Sequence, residues 1–232
     1  MTKLYDGNFG NGKSFHSFAP QIMIEVEAKE RIKQAAHELV MRFGLRGVSM
    51  DDIAGKVGMS KKTLYQYYKD KDELVTVVVE GVISENKCLC EGHGQAAENA
   101  VHEIFLALEM MVEMFQTMNP AIIYEMQKYF PAAYEKFHQH KTKFLLSYIL
   151  QNLERGIKEE LYREDINTQI LAKFRVESMF IPFNPDFQRS LKNFHLLELE
   201  EQIILNFLFG LVTLKGHKLA TRYMAAKAKQ TK

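Results

Sequence analysis

Lys61, Lys62, Thr63, Tyr65 and Gln66 crowd into one short stretch, and each carries a side-chain group that can hydrogen-bond. Lysine ammonium groups donate to guanine O6 or N7 and to phosphate, while a glutamine reads adenine or bonds a phosphate oxygen. Tyr67 and Lys71 follow, spaced so that a hydroxyl and an ammonium could clamp a nucleic-acid backbone. Such chemistry needs no nucleophile and no metal. It needs a rigid element that presents these groups together at one end.

The flanking residues describe that element. Ile32, Ala35, Ala36, Leu39, Val40 and Phe43 recur at three- and four-residue spacing, which predicts a first helix over about Glu25–Phe43 with one apolar stripe. Gly44 stands where a left-handed C-terminal cap is expected. Ser49 is placed to cap a second helix, and Asp52 three residues on completes a capping box with Asp in place of the usual Glu. Ile53, Ala54 and Val57 form that helix's inner face. Gly58 makes a sharp turn, and Ser60 caps a third helix whose Leu64 and Tyr68 face inward. A fourth helix begins near Asp70 and runs through Val75, Val78, Val79 and Val82. Two short helices joined this way make a helix-turn-helix, in which the N-terminal residues of the second helix meet base edges in the major groove. Free backbone amides near Ser49 and Met50 offer a further phosphate site.

Charge follows the same segment. The whole chain of 232 residues has a net charge of +1, yet Ala28–Asp72 holds ten Lys/Arg against six Asp/Glu, while Glu73–Lys232 holds 18 against 20. Positive charge therefore gathers where phosphate attraction requires it. Apolar residues are 47% and charged residues 25%, an ordinary globular balance. No apolar run reaches the roughly 18 residues of a membrane span, and no basic segment followed by an apolar one marks a signal peptide. With only Cys88 and Cys90 as thiols, a reducing cytoplasm is the expected location.

From Arg31 to Leu74 the chain resembles the DNA-binding domain of the tetracycline-repressor (TetR) family. The resemblance rests on Ala36-x-x-Leu39, Phe43-Gly44, Asp51-Asp52-Ile53-Ala54, Val57-Gly58-x-Ser60-x-x-Thr63-Leu64-Tyr65-x-Tyr67 and Lys71-x-x-Leu74. It implies base contacts from Lys61, Lys62 and Tyr65, and phosphate contacts from Ser49, Thr63, Tyr67 and Lys71. Lys62 stands where many relatives have Gly, and Tyr68 where Phe is usual. These departures predict an altered operator sequence and a buried aromatic whose hydroxyl reaches the surface. The resemblance also implies a helical domain after the head that binds a small molecule and pairs with a second copy. The expected organisation is a flexible tail over 1–22, the DNA-binding head over 23–72, and an effector-binding and dimerisation domain over 73–232. Helical character begins just after Met23, which makes that residue a candidate translation start.

Downstream, the pattern remains helical, with segments expected over about Ala96–Thr117, Pro120–Tyr129, Ala132–Leu161, Asn167–Met179 and Glu198–Met224, broken at Ile181–Pro185. No strand alternation or solenoid repeat stands out, so the fold class is all-α. Ile104, Phe105, Leu108, Met111, Val112 and Phe115 make one core stripe, and Met110, Met114 and Met118 add apolar surface beside it. A helix apolar on more than one face is buried twice or lines a cavity, and methionine suits an adaptable apolar site. Phe130, Tyr134 and Phe137 could complete such a cavity around a small hydrophobic effector, with Tyr124 as a polar handle; core packing is the competing reading. The segment Glu198–Gly216 resembles the family's dimer helices. Ile203, Phe207, Leu208 and Leu211 form its stripe, and Gly210 could permit close approach; an intramolecular core is again the alternative. A homodimer is favoured because two recognition helices must meet major-groove faces about 34–36 Å apart.

Cys88, Cys90 and His93 invite a metal reading, but positions two apart on a helix diverge, so chelation would require the helix to end near Cys90. His138 and His140 have the same spacing. No nucleophile elbow, phosphate-cradling glycine loop or HExxH motif occurs. The reading is a ligand-responsive transcriptional regulator, a repressor released from a near-palindromic double-stranded operator, with no cofactor, no metal, no membrane partner and no enzymatic activity. The rivals are a helical enzyme or lipid-binding protein that uses the head only for docking, and a sequence-indifferent architectural DNA protein.

Overall fold

The computed structural model describes residues 18–116, 118–190 and 194–230. Twelve α-helices run in order among them: α1 (Phe18–Gly47), α2 (Met50–Val57), α3 (Lys61–Tyr67), α4 (Lys71–Ala96), α5 (Ala100–Phe115), α6 (Ile122–Tyr129), α7 (Pro131–Gln139), α8 (Leu146–Lys158), α9 (Thr168–Ser178), α10 (Pro185–Ser190), α11 (Leu196–Leu211) and α12 (Leu214–Gln230). A π-helical turn, His140–Leu145, joins α7 to α8, and a 3-10 turn, Ile181–Phe183, precedes α10. No strand forms among the described residues; Tyr162 and Val212 make an isolated antiparallel bridge. The fold is all-α. The expected tail over 1–22 lies outside the described residues as far as position 17, and the chain is already helical from Phe18.

Local signals place the first helices. Gly44 interrupts α1 with φ 81° and ψ 165°. The φ is positive as expected, but the ψ lies outside the left-handed helical well, in a region that essentially only glycine occupies. Asp70 caps α4, its Oδ1 accepting from the Glu73 amide at 2.8 Å, and Asn99 and Asn167 cap α5 and α9 in the same manner.

Two expected long helices are interrupted. The one expected over 132–161 contains the π turn, which holds one extra residue per turn. The one expected over 198–224 breaks at Val212, which is extended at φ −72°, ψ 145°. There the chain is stitched to the segment after α8: the Arg163 amide donates to Leu211 O and the Thr213 amide to Leu161 O, both at 2.9 Å. Thr213 Oγ1 then accepts from the Gly216 amide at 3.2 Å and starts α12. Apolar periodicity continues through the break, so period alone cannot reveal it.

Two apolar cores support the site. The first joins Ile32, Val40, Leu45, Ile53 and Leu64 of the head to Leu74, Val75 and Val78 of α4, and continues into Ile122, Met126, Phe130 and Ala133 of α6 and α7. The boundary expected at 72/73 therefore crosses a continuous core. The second packs Phe105, Leu108 and Met111 against Leu153, Tyr162, Ile204, Phe207, Leu208 and Leu211.

Candidate functional site

The helix-turn-helix forms as its caps direct. Ser49 Oγ accepts from the Asp52 amide at 3.2 Å, and the Ser49 amide donates to Asp52 Oδ2 at 2.7 Å, a complete capping box. Hydrogen bonds from the Ser49 hydroxyl and amide hold the Asp52 carboxyl below its usual range. Gly58 ends α2 in the left-handed conformation at φ 70°, ψ 32°, a twist that costs glycine little. Ser60 Oγ accepts from the Thr63 amide at 3.0 Å and opens α3.

The structure brings the expected contact residues onto one exposed end. Lys61, Lys62, Tyr65 and Gln66 are exposed, and Thr63 and Tyr67 are half-buried beside them. Lys61 Nζ pairs with Asp51 Oδ2 at 2.7 Å, and that carboxylate holds the ammonium above its usual range. Both partners are more than half exposed, so the pair is worth little and can be exchanged for a phosphate or base contact. The Ser49 and Thr63 hydroxyls are occupied by Asp52 and Ser60, at 2.6 and 2.8 Å. A phosphate contact from either would use an amide or rearrange the cap.

Two side chains have partners inside the protein. Lys71 is half-buried: its Nζ donates to Leu45 O and lies 5.4 Å over the Phe130 ring, and burial pulls its ammonium below the usual lysine range. Tyr68 is buried as expected, but its hydroxyl points to the α1 backbone, donating to Lys29 O at 3.3 Å. Lys71 is part of a latch at the end of α1. There the Arg46 amide donates to Glu125 Oε2 at 3.0 Å, the Asn119 amide donates to Met41 O at 2.6 Å, and the Arg46 guanidinium lies 4.7 Å over Tyr129. A Cβ on Gly44 would sit 2.9 Å from Glu125 Oε2 and would push that carboxylate aside, on top of the strain that φ 81° imposes on any other residue.

Behind the head lies a cavity of about 210 Å³. Met110, Met111, Met114, Phe115, Met118 and Phe137 line it as expected. Tyr124 is exposed on α6, Phe130 is buried in the head-side core under Lys71, and Tyr134 packs at a tilt against Phe137, and none of the three lines it. Sequence reasoning missed the opposite wall, Met179, Phe180, Phe183, Ile204 and Phe207, which arrives from distant parts of the chain. The cavity also touches His37, Val40, Met41 and Leu45 of α1, and Val78, Val79, Val82, Ile83 and Asn86 of α4. Its near wall is thus built from helices that share a core with the helix-turn-helix.

The stripe expected at a dimer interface largely serves the protein's own core. Phe207, Leu208 and Leu211 are buried among α5, α8 and α12, and Ile203 is half-buried. Gly210 is exposed, with open space where a Cβ would stand. Exposed apolar surface lies instead on the adjoining α9, where Ile170 and Phe174 are 65% and 55% exposed. Their i, i+4 spacing, offset from the buried Ala172 and Val176, was the available sequence signal. The α4 helix continues past Cys88 and Cys90 to Ala96, sending Cys88 outward and Cys90 inward, where burial pushes its thiol up to about 11. Among the described residues no cluster of potential metal ligands forms, and no helix is long and apolar enough to cross a membrane.

Residues 32–78 match the family model described as bacterial regulatory proteins, tetR family. The chain is 24% identical over 162 residues to the HTH-type transcriptional regulator YvaF of Bacillus subtilis (strain 168), an alignment covering 68% of this chain and 82% of that one. Its fold is similar to the crystal structure of a TetR-family transcriptional regulator from Agrobacterium tumefaciens, with TM-score 0.69 and 15% identity over 82% of this chain and 100% of that one. It is also similar to a gamma-butyrolactone receptor (ArpA-like protein), with TM-score 0.57 and 15% identity over 90% and 100% of the two chains. The family match coincides with the capped motif, so residues 32–78 form a DNA-binding domain of the tetR type, carried on a fold that solved TetR-family regulators share.

Proposed function

We propose that this protein is a cytoplasmic repressor that binds a near-palindromic operator as a homodimer and releases it when a small hydrophobic molecule fills the central cavity. The observation that carries this reading is the shared wall: α1 and α4 both line the cavity and both belong to the head's core. A ligand that fits one arrangement of α4 better than another shifts the equilibrium toward it, and with it the spacing of the two heads. The latch at Arg46, Glu125 and Lys71 gives α6, which also lines the cavity through Ile122, Ile123 and Met126, a second hold on the end of α1. One fold neighbour is a gamma-butyrolactone receptor, which supports a small-molecule ligand here.

Dimerisation is assigned to the face formed by α9 and the exposed side of α11, around Ile170, Phe174 and Gly210. The recognition surface is assigned to Lys61, Lys62, Tyr65 and Gln66, with Tyr67 and the amides near Ser49 on the backbone. The reading is tested by fluorescence anisotropy on DNA from upstream of the protein's own gene, with and without hydrophobic compounds shown by calorimetry to bind the protein. Saturating ligand is expected to weaken DNA binding by about tenfold or more. Unchanged DNA affinity at full ligand occupancy would reject the proposed coupling.

A further inference from the structure

The few polar groups on the wall of the central cavity follow a pattern. Resting on the reading of that cavity as the effector site, we infer that it takes a neutral, largely apolar molecule bearing a hydroxyl group, whose O–H donates to the Glu200 carboxylate.

Glu200, on α11, is fully buried and lines the cavity beside Arg175 of α9. Its Oε1 accepts from Arg175 Nη2 at 2.7 Å, and its Oε2 has no hydrogen-bond partner. A buried carboxylate oxygen without a donor is costly, and a ligand that supplies one removes that cost. A second group on the wall has the same polarity. His140, in the π turn, is buried with its Nε2 2.9 Å from Asn86 Oδ1. The Cys90 thiol also points at that oxygen, at 3.8 Å, so the oxygen accepts and the ring proton sits on Nε2. His140 Nδ1 is then a bare lone pair, and it too is unpartnered. Tyr148 Oη, also on this wall and beside the Glu103 carboxylate, can turn to either role.

Charge balance selects among donors. Arg175 already neutralises Glu200, and Glu103 faces Arg155 at 3.5 Å and Asn152 at 3.0 Å. Burial and the nearby Lys87 pull the His140 imidazole down to about 4, so it is neutral. An ammonium would bring an uncompensated charge beside Arg175, and a carboxylate would bring one beside Glu200; either is costly in so apolar a space. A hydroxyl brings a donor without a charge. The cavity, at about 210 Å³, exceeds the ~150 Å³ that admits benzene, leaving room for a larger apolar skeleton.

The test is calorimetric titration of the full chain with four matched probes: n-decanol, methyl n-decyl ether, n-decanoate and n-decylamine. Burial pushes the Glu200 carboxyl up to about 7, so the titrations are run well above neutral pH, where it is ionised. The alcohol is expected to bind about tenfold or more tighter than the ether, which accepts but cannot donate, and tighter than either ion. In Glu200→Gln the amide oxygen can still face Arg175 while an N–H replaces the free acceptor, so the gap between alcohol and ether closes. Equal binding of alcohol and ether to the unaltered protein, or tightest binding of an ion, overturns the inference and leaves the cavity an effector site. Binding of none of the four removes the effector-site reading and this inference with it.

Discussion

Lys62 and Lys71 are both lysines of the reading head, yet the structure gives them opposite surroundings. Lys62 is exposed near the start of α3, while Lys71 is half-buried against Leu45 O and the Phe130 ring. Lys62→Ala is therefore expected to weaken operator binding by about 1–3 kcal/mol if it reads a base, or to lower the slope of log affinity against log salt by about 1 if it meets a phosphate. Lys71→Ala is expected to leave that slope unchanged and to lower unfolding stability by about 1–2 kcal/mol. Salt-dependent anisotropy and urea denaturation separate the two outcomes. Sequence placed both lysines near DNA because spacing reveals which face a residue occupies, not whether a carbonyl from another helix end waits beside it. His140 yields a pH prediction of its own. Its folded-state pKa is depressed from 6.5 to about 4, so its contribution is present above about 6.5 and is lost as pH falls toward 4, by about 3 kcal/mol at most. His140→Gln should flatten that part of the stability profile, measured by urea midpoints across the range.

At the scale of elements, the end of α1 is the joint on which the proposed coupling depends. Gly44 combines a positive φ with a 2.9 Å approach of Glu125 Oε2 to its would-be Cβ. Gly44→Ala is expected to cost about 1–3 kcal/mol of stability and to loosen the hold of α6 on α1. Thermal unfolding reads the first effect, and hydrogen exchange at the Arg46 amide reads the second. The caps at Ser49, Ser60 and Asp70 and the turn at Gly58 were legible in the sequence because each is settled by residues three or four positions apart. The break at Val212–Thr213 was not, because its hydrogen bonds come from Leu161 and Arg163. The π turn was equally hidden, since one extra residue in a helix leaves a run such as His140–Leu145 looking ordinary.

Across the whole molecule, the methionine side of the cavity could be read from α5 and the residues just after it, where Met110, Met111, Met114 and Met118 all line the wall. Its far wall could not, because Phe183 and Phe207 meet Phe115 and Phe174 only through tertiary packing. The same blindness moved the expected dimer stripe: a period shows that Leu208 and Leu211 are buried, and only the fold shows that α5 and α8 bury them. With Ile170 and Phe174 as the proposed contact, Phe174→Glu is expected to convert dimer to monomer in sedimentation equilibrium while leaving the helical content unchanged. An unchanged dimer would move the interface elsewhere. The central claim, a dimeric reader of specific DNA, is tested most directly by selecting bound sequences from a random duplex pool at fixed salt. The expected result is an enriched inverted repeat, its half-sites about one helical turn or a multiple apart, bound about a thousandfold or more tighter than scrambled duplex. A pool that stays random after repeated selection, with every duplex bound alike, would contradict it.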